Sequence, residues 1–197
     1  LNRSHAPTLV LGYEMVKGES ASQYARILAG EYDTATTQLA QFLRERNQWV
    51  YIRPLAEFNA DWYGWGTYYP GNNKEDFVPA FKHIVNLFRA ADAPVLVQIN
   101  YNTQNSKTSD PDMLQFYPGD DYIDEIMVDG YNFAGVDESH TTWMTFDAVF
   151  ATWYQTFANA TTKPLGIGEF STTRNGGDKI AWIHDAFTKI ICDYPRF

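Results

Sequence analysis

The chain has 197 residues, 45% of them hydrophobic and 16% aromatic, with a formal net charge of −9 and an isoelectric point near 4.8. That length and apolar content suit one sizeable core, so a single domain over residues 1–197 is expected, and the acidic balance disfavours nucleic acid and anionic membrane surfaces as partners. Cys192 is the sole cysteine, which excludes an internal disulfide and a thiolate metal cluster, and no apolar run approaches the length of a membrane span.

Residues 8–15, TLVLGYEM, read as a buried strand that carries Glu14 to its C-terminal end. Ser20 or Ser22 is placed to cap a short helix ending near Gly30. Thr34 is placed to cap a second, with Ala35, Leu39, Phe42 and Leu43 on its inner face and a basic end at Arg44 to Arg46. A strand over 49–54 then leads into LAEFNADWYGWG. Here Glu57 is followed by Asn59 and by Trp62, Tyr63 and Trp65, interleaved with Gly64 and Gly66. A carboxylate beside an amide and flat aromatic faces suits a sugar ring, whose CH groups stack on indole while its hydroxyls bind polar atoms. Trp62, Trp65, Asn59 and Tyr63 are therefore candidate substrate-binding residues; the competing reading is a small aromatic core under a loop.

A helix over 75–91 presents Phe77, Phe81, Ile84 and Phe88 on one face, and residues 94–100 form a strand apolar enough to be covered on both sides. After a polar loop, a strand over 123–129 ends in the run Asp129-Gly130-Tyr131-Asn132. A helix over 145–157 turns Phe146, Val149, Phe150, Trp153 and Phe157 inward, and a strand over 164–170 presents Glu169. The last helix carries a stripe of Ile180, Ile183, Phe187 and Ile190. Strands and helices alternate, and the strands end in polar residues. That is the pattern of an α/β fold with a parallel sheet, open or closed into a barrel, and a site at its carboxyl edge.

Four acids end strands: Glu14, Glu57, Asp129 and Glu169. Glycoside hydrolysis needs two carboxyl groups, one to protonate the leaving oxygen and one to attack or to activate water. Glu57 and Glu169 are the preferred pair, because each stands just past an apolar strand with neighbours that leave room for substrate. The alternative is that these acids cap helices or hold Arg53 or Arg174. His5, His83, His140 and His184 are scattered without metal-ligand spacing, and no GxSxG, GxGxxG or phosphate loop occurs, so neither metal nor cofactor is expected. Sequons stand at Asn2 and Asn159 as possible N-glycosylation sites.

Four segments in order, RPLAEFNADWYGWG (53–66), EDFVPAFKHIVNLFRAADAPVLVQIN (75–100), YPGDDYIDEIMVDGYNF (117–133) and KPLGIGEFS (163–171), resemble glycoside hydrolase family 26. This family is best known for endo-β-1,4-mannanases and belongs to a clan of retaining (β/α)8 glycosidases. The resemblance implies a TIM-barrel-type fold of which only strands 3 to 7 are present. It makes Glu57 the acid/base, Glu169 the nucleophile and Tyr131 the residue that orients the nucleophile, with Trp62 lining the sugar cleft. The implied activity is retaining endo-hydrolysis of a β-linked polysaccharide, β-1,4-mannan first. A β-1,3-xylanase, a mixed-linkage glucanase or a noncatalytic carbohydrate-binding or structural module on the same fold are the alternatives. Family mannanases usually place His before the acid/base, where this chain has Ala56. The resemblance further implies secretion and additional chain or partner segments completing the barrel. It predicts carboxyl groups about 5–5.5 Å apart, a partly exposed ring on Trp62 or Trp65, and a wall open between residues 8–15 and 164–170.

Overall fold

The computed structural model describes residues 10–13 and 22–197, so Asn2, Glu14 and the expected Ser20 cap lie outside the described residues. Five strands, β1 (Val10–Tyr13), β2 (Val50–Pro54), β3 (Val95–Asn102), β4 (Glu125–Asn132) and β5 (Leu165–Thr172), form one sheet in sequential order. Every neighbouring pair is parallel. Sequential order with helical crossovers is the topology of a (β/α) barrel wall, here a half-barrel whose outer strands are β1 and β5.

The crossovers explain why the inner strands are covered. Helix α3 (Phe77–Ala90) follows a single 3-10 turn and buries Phe77, Ala80, Phe81, Ile84, Val85 and Phe88, a repeat of three and four that lays one continuous apolar face on the sheet. Pro79 sits in its first turn, where its missing N–H has no helical partner to lose. Helix α4 (Phe146–Ala160) starts where Thr145 accepts the Ala148 N–H at 3.2 Å, and it buries Phe146, Val149, Phe150, Trp153 and Phe157. Between these helices and the sheet the core is mostly aromatic. Phe58 stacks on Phe77 with centroids 3.7 Å apart, and Tyr101 packs on Phe157 at 4.7 Å.

Three expectations need correction. Helix α1 (Gln23–Leu28) does begin at a Ser22 cap, but α2 (Asp33–Arg46) begins after Tyr32 and not at Thr34. Its inner face is Thr36, Ala40 and Leu43, about one residue round from the stripe expected, which leaves Ala35 and Phe42 exposed. Thr36 is tolerated inside because its hydroxyl donates to the Tyr32 carbonyl at 2.8 Å. The apolar stripe of α5 (Lys179–Cys192) is largely uncovered: Trp182 and Ala186 are the buried residues, while Ile180 is 83% exposed and Phe187 and Ile191 are exposed too. Strands β4 and β5 also continue past the expected ends, so Asp129, Tyr131 and Glu169 lie within strands that end at Asn132 and Thr172.

One irregularity in β5 bears directly on the site. Val128 pairs with Ile167 but Asp129 pairs with Glu169, so Gly168 is one extra residue, a β-bulge. A Cβ at Gly168 would lie 2.5 Å from Asp129 Oδ1 and 3.1 Å from Arg53 Nη1, so only glycine fits. The bulge puts Asp129 and Glu169 at one level of the sheet, pointing to the same face.

Candidate active site

The turn after β2 carries Glu57. Leu55 and Glu57 both adopt left-handed backbone, with φ of 55° and 51°, a region that costs a residue with a Cβ on the order of 1–3 kcal/mol. The surroundings hold it there. Leu55 and Phe58 are fully buried, the Glu57 N–H donates to the Asn100 carbonyl at 3.0 Å, and the Thr67 N–H donates to the Phe58 carbonyl at 2.6 Å. With its neighbours anchored below, Glu57 is left half-buried at the end of the sheet, where Asn102 Nδ2 donates to its Oε1 at 2.9 Å.

The four candidate sugar contacts from this stretch part company. Trp62 is 48% exposed and lines an open cleft of about 400 Å³. Trp65 is only 8% exposed: its Nε1 donates to the Ala56 carbonyl at 2.8 Å and its ring stacks on Tyr63 at 4.6 Å. Tyr63 keeps an exposed edge but does not line that cleft. Asn59 is fully buried. Its amide donates to the Asn102 and Gln104 carbonyls and to Asn105 Oδ1, while its Oδ1 accepts the Asn102 N–H at 2.8 Å. Trp65 and Asn59 are therefore placed as supports: the first braces the backbone before Glu57, and the second fixes the end of β3 from which Asn102 reaches Glu57. For these two the loop-core reading applies, because each polar atom finds its partner within the fold.

On the opposite side, Glu169 is exposed on β5 and its Oε2 accepts the Tyr131 hydroxyl from β4. Burial, then the hydrogen bond to Glu169, pushes the Tyr131 phenol well above its ordinary range, so it stays a donor at working pH. Beside Glu169 across the sheet stands Asp129, only 3% exposed, with no hydrogen-bond partner for its Oδ1 among the described residues. Burial first, then the charges of Glu57 and Glu169, raises its carboxyl to about 7; the Asn100 amide and the Arg53 guanidinium oppose this. The bulge in β5 sets Asp129 beside Glu169, and the charges of both glutamates act on it. Arg53 is itself held through Gln98, whose Oε1 accepts Nε and Nη2 at 3.1 and 3.0 Å. Gln98 donates to Glu125 at 2.8 Å, and Glu125 accepts the Tyr51 hydroxyl at 2.9 Å.

Sequence reasoning noted Asp129 among the strand-end acids without assigning it to the site, and it did not single out Asn102. The signal for Asn102 was an amide closing an apolar strand; for Asp129 it was a carboxylate beside glycine in a strand. Among the described residues no group of three or more His, Cys, Asp or Glu side chains is placed to hold a metal ion. His83 pairs with Asp33 at 2.7 Å and His140 with Asp137 at 2.8 Å. Asn159 lies exposed near the end of α4, and the Thr161 hydroxyl of its sequon donates to Asp120 at 2.9 Å.

Two separately held carboxylates, Glu57 and Glu169, each bonded to a residue that lines an open cleft with an exposed indole, are the kind of groups that cleave a glycosidic bond by acid/base and nucleophilic catalysis. Comparison with known proteins gives a concordant result. Residues 6–183 match Glycosyl hydrolase family 26. The sequence is 36% identical over 172 residues to Endoglucanase H of Acetivibrio thermocellus, a match covering 85% of this chain and 19% of that protein. Among solved structures, GH26C from a Muricauda species superposes with a TM-score of 0.64 at 17% identity, over 86% of this chain and 47% of that one. A Cellulomonas fimi endo-beta-1,4-mannanase double mutant superposes with a TM-score of 0.62 at 17% identity, over 84% of this chain and 38% of that one. The chain thus spans about a fifth of the endoglucanase and no more than about half of these solved chains.

Proposed function

The chain belongs to glycosyl hydrolase family 26, and on that premise we propose that it supplies the catalytic carboxylates of a retaining endo-glycosidase acting on a β-linked polysaccharide, β-1,4-mannan first. The observation that carries this reading is that Glu57, in the turn after β2, and Glu169, on β5, lie toward the carboxyl end of the same parallel sheet, each accepting from one neutral donor and both acting on Asp129. Glu169 attacks the anomeric carbon as the glycosidic C–O bond breaks, and Glu57 gives its proton to the departing oxygen. Glu57 then takes a proton from water as that water displaces Glu169, returning both carboxyls to their starting states. Tyr131 engages one oxygen of Glu169 and so fixes the rotation of the carboxylate, leaving the other for attack. Trp62 offers a ring face to the sugar. A polymer of this kind is met outside the cell, which supports secretion.

A second reading, a β-glucan substrate, is favoured by the 36% identity to an endoglucanase and by Ala56, which brings no side-chain donor beside Glu57. The endoglucanase match covers a fifth of a larger protein, so its name does not settle the matched stretch. Reducing-sugar release from mannan, glucomannan, β-1,3-xylan and lichenan, with Glu169→Ala as the blank, tests the proposal. Release from mannan that the blank abolishes is the expected result. Binding of these polymers without turnover would make the chain a noncatalytic module.

A further inference from the structure

Away from the carboxylates, the loops after β4 and β5 are fastened to each other by two side chains of the β5 loop. Thr173 Oγ1 donates to the Ala134 carbonyl at 2.7 Å, and Asn175 Nδ2 donates to the Gly135 carbonyl at 2.8 Å. The joint is close: a Cβ at Gly135 would lie 2.6 Å from the Asn175 Cβ. Beyond it the β4 loop turns back on itself, with the Gly135 N–H donating to the His140 carbonyl. What this clasp holds in place is a wall of the open cleft, to which that loop contributes Phe133, Ala134, Ser139 and His140.

Asn175 is followed by Gly176, the sole Asn-Gly pair in the sequence. The carboxamide carbon of an asparagine is open to attack by the backbone nitrogen of the next residue, and glycine, with no side chain, hinders that attack least. Both residues are exposed in a turn, Gly176 has a φ of 84°, and a Cβ built on it would touch only Trp143, at 4.0 Å. Among the described residues no acceptor engages the Gly176 N–H. Asn105, which also precedes a small residue, differs on each count: it is 5% exposed, its Nδ2 donates to the Asp110 carbonyl at 2.6 Å, and the Ser106 N–H is held by the Asn59 carbonyl at 3.1 Å. We propose that Asn175 is a deamidation site whose reaction releases the cleft wall formed by the loop after β4. When the clasp opens locally, the Gly176 nitrogen loses its proton and bonds to Cγ of Asn175, and the Cγ–Nδ2 bond breaks as ammonia leaves with that proton. Water then adds to either carbonyl of the cyclic imide, giving aspartate or isoaspartate with no change of oxidation state. Either product replaces the donor to Gly135 by a carboxylate that repels its carbonyl, so the clasp does not re-form. Isoaspartate also adds a backbone carbon ahead of Gly177, where even a Cβ would come within 2.5 Å of the Trp143 ring.

The test is peptide mapping by mass spectrometry after warm incubation of the chain in mildly alkaline buffer. Position 175 should accumulate aspartate and isoaspartate ahead of every other asparagine. Asn175→Gln, whose longer side chain must close a larger ring, should stay unmodified there over the same period. The second readout is amide hydrogen exchange, followed in the aged parent and in Asn175→Asp as a stand-in for one product. The amides of Gly135 and His140 should exchange about fivefold faster than in the fresh parent, the scale of one lost hydrogen bond, while those of α3 keep their rates. An aged chain with Asn175 intact, or modified no faster than Asn105, overturns the site. Unchanged exchange at Gly135 and His140 in both the aged parent and Asn175→Asp overturns the release of the wall. Neither readout involves turnover, so the outcome stands apart from the enzymatic reading.

Discussion

The inner strands and the β5–α5 side of this molecule are built from similar residues and packed very differently. Helices α3 and α4, packed on strands β2 to β4, carry most of the fully buried aromatic side chains, and the turn holding Glu57 is tied into that packing by Leu55, Phe58 and backbone hydrogen bonds. On the other side, β5 is only partly covered and α5 buries just Trp182 and Ala186 while Ile180, Phe187 and Ile191 face out. The two glutamates fall one on each side. Glu57 is placed by the core, whereas Glu169 is placed by a single bulge at Gly168 and a single hydroxyl from Tyr131. Position near the chemistry therefore does not measure how firmly a residue is held.

The contrast can be broken most directly in the core. Phe58→Ala removes a ring stacked on Phe77 and in edge contact with Tyr101 and Phe116, and should cost about 3–5 kcal/mol of unfolding free energy by denaturant titration. A loss below 1 kcal/mol would show that the turn does not depend on that packing. Next in size is Asp129→Asn. The Asp129 carboxyl binds its proton more tightly folded than unfolded, so wild-type stability should fall as pH rises from about 4 through about 7 and then level off. Asparagine removes this penalty. The variant should match wild type near pH 4 and exceed it at pH 8 by on the order of 3 kcal/mol; an equal difference at both pH values would refute the assignment.

Smaller effects sharpen the comparison at the cleft and the outer face. Trp62→Ala should leave the unfolding midpoint in place and weaken oligosaccharide affinity about tenfold, because its half-exposed ring packs little but faces the cleft. Wild-type affinity in that variant would remove Trp62 from the binding surface. The smallest change should come from Phe187→Ser on α5, within about 0.5 kcal/mol of wild type. A larger loss would mean that the outer face is covered in solution.

All five strands and their parallel order were legible in the sequence, because each is a short apolar run followed by polar residues and a helical repeat. What periodicity does not reveal is which apolar stripe gets covered. The α5 residues Ile180, Ile183, Phe187 and Ile190 form as regular a stripe as the α3 set, yet much of it faces outward, because coverage depends on neighbours in space. Trp62 and Trp65 show the same limit three residues apart: both are indoles flanked by small or aromatic residues, and only the fold directs one to the Ala56 carbonyl and the other to the cleft. Asp129 escaped assignment for a related reason. Its neighbours in the chain do not show that a bulge across the sheet brings Glu169 beside it, nor that Glu57 closes from the other side.

The left-handed backbone at Glu57 has an implication for how this chain responds to selection. Glycine is the residue that conformation favours, so Glu57→Gly should raise the unfolding free energy by about 1 kcal/mol even as it deletes the proposed proton donor. A library of variants sorted for heat resistance alone would drift toward glycine at this position and become inert. The same library sorted on sugar release would hold glutamate there against that drift, so the residue found at position 57 after many rounds would reveal which pressure had shaped the population.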